Sequence, residues 1–173
     1  EHGGCVGGMC YGFPPMPEQI PDHSTIYKCA PPIRSKSNNN LLKLALANGV
    51  LDFIATDHSP APPEIKKLDS GNLHEAWGGI ASLQYLLSAS WTSMKDLITL
   101  DKFIPLLTSH PAKFLKLKNK GEIKVGNDAD LVVWNPDLEY KVKEEKIFHR
   151  HKISPYVNQL LSGKIKSTIV DGL

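Results

Sequence analysis

The sequence predicts an α/β fold with a small β module behind it. Residues 41–56 read as a helix, a glycine-ended turn and a buried strand, the αβ unit of a sheet covered by helices. From Lys120 onward the apolar residues switch to period two, the spacing of half-exposed strands. A third observation points to chemistry. The apolar run from Val50 to Ala55 ends abruptly in Thr56-Asp57-His58-Ser59-Pro60. A strand ending in polar side chains aims them at the carboxyl end of a sheet, where α/β barrels keep their active sites. Asp, Ser and Pro are also turn formers, so these residues taken alone serve equally well as a turn.

At 173 residues the chain fits one domain with at most a small appendage. A hydrophobic share of 41% and a charged share of 22% suit a packed globular protein rather than a disordered one. The net charge of +2 is too weak, and the lysines too scattered, to imply nucleic acid or a membrane surface as partner. No apolar run is long enough to cross a bilayer as a helix. The cysteines are Cys5, Cys10 and Cys29, an odd number without repeated spacing. With no signal peptide in view, a reduced, cytoplasmic setting is expected. The first residue is Glu rather than Met, so the chain is expected to begin inside a longer protein.

Residues 1–24 are rich in Gly and Pro and are expected to be irregular. They contain neither a P-loop nor the glycine pattern of a dinucleotide site. Cys5, Cys10 and His2 match no common zinc spacing and are not expected to bind metal. Ile26 to Cys29 reads as a short extended piece leading into Ala30-Pro31-Pro32, where the prolines hold the backbone open and leave carbonyls free. Asn38 to Asn40 are candidate N-caps of a helix whose apolar face is Leu41, Leu42, Leu44, Ala45 and Leu46, and Asn48-Gly49 ends it. The strand over 50–56 follows, apolar at nearly every position, as expected when both faces are covered.

Residues 61–76 read as a surface excursion with a turn at Asp69-Ser70-Gly71-Asn72. Ala76-Trp77-Gly78-Gly79-Ile80 is expected to open a helix running to about Ser90, with free N–H groups at its start. Trp77 either walls a pocket or packs in the core. Residues 94–117 predict two more helices, the second re-entered at Pro111 with His110 at its start. A lone His there is more often a cap or surface residue than a ligand. Gly121 to Gly126 predicts a half-exposed strand and Asp130 to Trp134 a buried one, with Asn135-Pro136-Asp137 as a turn between strands. Lys141 to Arg150 is charged and solvent-facing, and Ile165 to Val170 is a last alternating strand.

Asp57 with His58 is the one cluster with catalytic promise. Neighbouring strand residues point to opposite faces, so a regular strand admits one of them to a pocket. Asp57 shares its face with Phe53 and Ala55. A carboxylate there suits a metal ligand or a general base. Hydrolytic zinc needs about three protein ligands, and no second set of His or Glu clusters with Asp57. No nucleophile elbow and no Cys-His pair stands out.

Taken together, Lys28-Cys29-Ala30-Pro31-Pro32-Ile33-Arg34, Thr56-Asp57-His58-Ser59-Pro60, Ala76 to Gln84, Lys120 to Trp134 and His151-Lys152-Ile153-Ser154-Pro155-Tyr156 are distinctive. In that order, over roughly residues 20–173, they resemble the allantoinases, within the cyclic-amide branch of the amidohydrolase superfamily. The glycine-rich pair at 121–134 is shared with dihydropyrimidinase and dihydroorotase relatives. Ser59-Pro60 with Trp77-Gly78-Gly79 and Gln84 favours the allantoinases. The resemblance implies the C-terminal part of a (β/α)8 TIM barrel over 25–118 and part of a small β-sandwich over 119–173. It implies a binuclear zinc site built from four histidines, a carboxylated lysine and an aspartate, at which activated water opens allantoin to allantoate.

Asp57 matches that aspartate, so it is the candidate catalytic and metal residue. Ala30 and Gly79 fall where relatives contact substrate through the backbone, and His110 where relatives often have a substrate-contacting Asn. The complete family enzyme is expected to be a homo-oligomer, a tetramer. The remaining ligands of the family lie earlier than this chain begins, and residues 1–13 carry glycines where the family has a Cys-Pro-His-Tyr-like strand. The chain alone is therefore expected to be inactive and, with unpaired strand edges, poorly soluble. A dihydropyrimidinase-like hydrolase and a non-catalytic assembly protein are the alternatives.

Overall fold

The computed structural model describes residues 5–6 and 20–173. The other residues of the glycine-rich start, His2 and Cys10 among them, lie outside the described residues. Cys5–Val6 forms strand β1, where irregular chain was expected. It pairs in parallel with β2, Phe53–Ile54, through Cys5 opposite Phe53 and Val6 opposite Ile54. The strand expected over 50–56 thus keeps regular pairing at two buried residues. Val50 is 70% exposed. A central parallel strand needs neighbours on both edges, and among the described residues β2 has β1 alone.

Helix α1, Lys36–Ala47, precedes β2. Its N-cap is Ser35, whose hydroxyl accepts from the Asn38 N–H at 3.4 Å, so Asn38 to Asn40 lie inside the helix rather than capping it. It ends as expected, with Asn48 at the cap and Gly49 at φ +71°, a left-handed conformation that glycine adopts without strain. Leu46 is buried, whereas Leu41 and Leu44 stay exposed at 66% and 47%. Ahead of α1, Thr25–Tyr27 is a turn of 3-10 helix rather than an extended piece, and the Ala30–Pro31 peptide is cis.

The surface excursion contains one helical turn, α2, Pro63–Lys66. The helix expected from Ala76 begins later, as a 3-10 turn at Leu83–Tyr85 that continues into α3, Leu86–Met94. Gly78-Gly79 carries the poorest ordinary helix propensity, and its backbone groups are engaged elsewhere: the Gly79 N–H donates to the Lys28 carbonyl at 3.1 Å. Helix α4, Leu100–Phe103, a 3-10 turn at Ile104–Leu107 and α5, Ser109–Phe114, follow. Pro111 is the third residue of α5 rather than its first, and His110 the second.

The β module is one antiparallel pair, β3, Leu131–Lys141, and β4, Leu160–Ile169. Asn135-Pro136-Asp137 is not a turn between strands. It is a register shift within β3, where proline's missing N–H suits a bulge. The strand expected over 121–126 does not form, and Ile123 is 92% exposed. Val132 and Val133, expected to be buried, are each 48% exposed.

Helix α3 organises the core. On one side Ala89, with Tyr85 of the preceding 3-10 turn, packs with Val142, Ile147, Tyr156 and Leu161. On the other, Trp91 and Met94 pack with Leu46, Ile54, Phe103 and Leu106. The Trp91 ring meets Phe103 at 5.1 Å and the Trp134 ring edge-on at 5.9 Å. Polar links reinforce this packing: Ser88 Oγ donates to the Gly163 carbonyl at 2.7 Å and the Ser162 N–H to Thr92 Oγ1 at 2.8 Å. Both clusters draw on residues from either side of residue 118, the second through Trp134.

Candidate functional site

Beyond β2 the chain leaves the sheet, and Asp57 takes φ +46°. Asx residues tolerate this left-handed region better than most. The carboxylate is exposed. On either side the backbone is fastened to the segment 79–83. The Thr56 carbonyl accepts from Ser82 Oγ at 3.0 Å, His58 bridges to Ile80, and the Ser59 N–H donates to the Ile80 carbonyl at 3.0 Å. Asp57 is thus held at the tip of a fixed corner.

The His58 ring is directed to the backbone of Ser82 and Leu83. Its Nδ1 accepts from the Ser82 and Leu83 N–H groups, each at 3.0 Å. These are free donors at the start of the 3-10 turn, so the imidazole acts as its cap. Two donors on Nδ1 leave the ring proton on Nε2. The His149 ring stands edge-on to His58 at 6.0 Å. Burial, followed by the His58, Lys152 and His151 charges, holds His149 below the ordinary 6.5, against an opposing hydrogen bond to the Ile153 carbonyl. Its Nδ1 is buried without a hydrogen-bond partner among the described residues.

The second wall of the corner is Lys28 to Ala30 against Trp77 to Gly79. A Cβ placed on Gly78 would stand 3.5 Å from Ala30 Cβ, and one on Gly79 would meet Ser59 Cβ at 2.5 Å and Trp77 Nε1 at 2.7 Å. Glycine is therefore required at 79 by close approach. Trp77 is 46% exposed, so it does not pack in the core. Beneath this wall lies Lys66, 3% exposed. Its ammonium donates to the carbonyls of Lys28 at 2.7 Å, Trp77 at 3.1 Å and Gly79 at 2.5 Å. The sequence reading missed Lys66 because it sits in the polar stretch Ile65-Lys66-Lys67-Leu68-Asp69, which reads as surface. A one-turn helix has too little length to show a periodicity that would reveal its buried face.

The structure thus sets Lys28 to Ala30 against Trp77 to Gly79, and ties the backbone on both sides of Asp57 to Ile80 and Ser82. His110 Nδ1 lies 2.7 Å from the Asp52 carbonyl oxygen, ahead of β2, whereas Asp57 follows it. No group of three or more His, Cys, Asp or Glu side chains gathers among the described residues. These residues do not by themselves fit a metal pair, and Asp57 offers a single carboxylate. No helix among them is long and apolar enough to cross a membrane.

Known proteins carry the same arrangement of sequence and fold. The chain is 43% identical over 158 residues to the allantoinase of Arabidopsis thaliana and 41% identical to the probable allantoinase of Oryza sativa subsp. japonica, in each case over 90% of this chain and 31% of the plant protein. It is 40% identical to the allantoinase of Salmonella newport (strain SL254), covering 34% of that protein. Among solved structures, an L-hydantoinase (dihydropyrimidinase) from Arthrobacter aurescens superposes with a TM-score of 0.80 at 30% identity, over 87% of this chain and 34% of that one. A D-hydantoinase from Thermus sp. gives 0.79 at 26% identity, over 90% and 34%. The chain spans about a third of the length of these relatives. The mixed helix-and-strand reading therefore holds. With the amidohydrolase family matched over residues 15–173, the chain belongs to the amidohydrolase family.

Proposed function

We propose that this chain supplies one wall of the active site of an allantoinase, a protein that hydrolyses the cyclic amide of allantoin to allantoate in purine catabolism. The observation that carries the reading is the conjunction of Asp57, at the tip of a corner fastened on both flanks, with 40–43% identity to allantoinases over 90% of the chain. In the complete protein a zinc pair would supply activated water near neutral pH and polarise the carbonyl, and Asp57 would be one of its ligands. The other ligands would come from outside the described residues.

Asp57 does the proton work. Its free carboxylate oxygen takes the proton of the attacking water as the carbon–oxygen bond forms. It then returns that proton to the ring nitrogen as the carbon–nitrogen bond breaks. Ala30 and Gly79 line the same corner and offer backbone groups to the ring's amides, fixing its orientation. A hydantoinase-like preference is the second reading, favoured by the fold match at TM-score 0.80.

The test is a turnover assay with added zinc, on this 173-residue chain and on the complete protein, using allantoin and dihydrouracil. Allantoin turnover is expected in the complete protein and none in this chain. In the complete protein, D57N should remove on the order of 10³-fold or more of kcat. Preference for dihydrouracil would transfer the assignment to the second reading. Turnover by the chain alone would sink the claim that it is one wall of a larger site.

A further inference from the structure

We propose that Lys66 is a positioning residue for the substrate-facing backbone at Ala30 and Gly79, setting affinity for the ring rather than its chemistry; this rests on the reading above. An ammonium has three hydrogens to donate, and here the carbonyls of Lys28, Trp77 and Gly79 receive them at 2.7, 3.1 and 2.5 Å. Those carbonyls belong to two segments far apart in sequence, one ending at Ala30 and the other at Gly79.

The other described ties are the Gly79 N–H on the Lys28 carbonyl at 3.1 Å and the Lys28 ammonium on the Leu73 and His74 carbonyls, from an exposed side chain. The Lys28 carbonyl also accepts from Lys66, so the Gly79 and Lys66 links share one oxygen. Burying a charge is costly unless its donors are satisfied. The cavity beside Lys66, Gly79 and Pro155 has a volume of about 10 Å³, so at most a single water reaches the ammonium. These three loop carbonyls therefore help to solvate the charge, and moving the loop would strip them from it. The Trp77 and Gly79 carbonyls, on either side of Gly78, thus both turn inward to the ammonium.

Lys66 does not touch the open side of the Asp57 corner, so its removal should misplace the backbone without removing a reacting group. In the complete protein, K66M keeps the volume and removes the donors. It should lower kcat/KM for allantoin by on the order of 10²-fold, mostly as a raised KM, with zinc content and the pH profile of kcat unchanged. K66R keeps the charge, but a planar fork cannot meet three carbonyls converging on one point, so it should not restore KM. A further readout needs no variant: hydrogen exchange of the Gly79 amide in the wild-type protein, expected to be as slow as that of buried Ala89 in α3. Unchanged KM in either folded variant, or a Gly79 amide exchanging like open loop, would overturn the proposal. Absence of allantoin turnover in the wild-type protein would instead count against the function, and the exchange measurement would still decide the role of Lys66.

Discussion

Asp57 stands out as a candidate because its surroundings in sequence are unusual: an apolar run, then acid, imidazole and Pro. Lys66 and His149 do not, since their importance comes from burial, which no local pattern announces. His149 leads to a test by pH. Its folded-state pKa lies below the ordinary 6.5, with burial the first cause. The folded state then binds fewer protons than the unfolded one, so stability rises with pH. The contribution is complete above about 6.5 and is lost as pH falls below that value through the folded pKa. The titratable and charged groups set against it are His58, Lys152 and His151. Urea midpoints of the complete protein should fall more steeply between pH 7 and pH 5 for wild type than for H149F. That variant also removes the orphaned Nδ1, so it should be no less stable at the acid end. Parallel pH curves for the two would rule the linkage out.

At the scale of elements, helices were found where length allowed a pattern, and short elements were misread. The segment 76–80 looked like a helix start because glycines commonly occur there. The structure instead uses it as a bridge to His58 and a landing for Lys66. The true start, at Leu83, lacks an Asx or Ser/Thr cap within its own element, since Ser82 caps nothing with its side chain. The cap arrives from His58, 24 residues away from Ser82, and tertiary capping of that kind cannot be read from spacing. Replacing His58 with Leu leaves two N–H groups without their acceptor. A loss of about 1–3 kcal/mol in unfolding free energy is expected. H58N, whose carbonyl oxygen can accept from the same donors, should recover part of it. If H58L melts like wild type, the imidazole is not the cap that fixes this turn.

At the scale of the molecule, the readings that failed share one cause. The strand over 121–126 did not form, β2 shrank to two residues, and Leu41, Leu44, Val132 and Val133 were left exposed. All were predicted from apolar pattern, which records the neighbours a segment was selected to meet. Strands are stabilised by cross-strand pairs, and a two-stranded sheet alone is marginal in water. The chain spans 31–34% of its allantoinase relatives, so the pattern asks for partners the described residues do not supply. Exposed Lys141, Lys164 and Lys166 blunt the β3–β4 pair, as edge lysines do, but no such charge protects the 48%-exposed Val132 and Val133 side by side. The isolated chain should therefore self-associate at micromolar concentration, seen as early elution in size exclusion and a broad, uncooperative melt. Co-expression with the remaining sequence of the proposed parent should restore a defined species. V132K/V133K should lessen association if the β3–β4 face drives it and leave it unchanged if α1 does. A monodisperse, cooperatively melting monomer would show that the apolar pattern at 121–133 is tolerated in water, and that the proposed parent is not needed for this chain to fold.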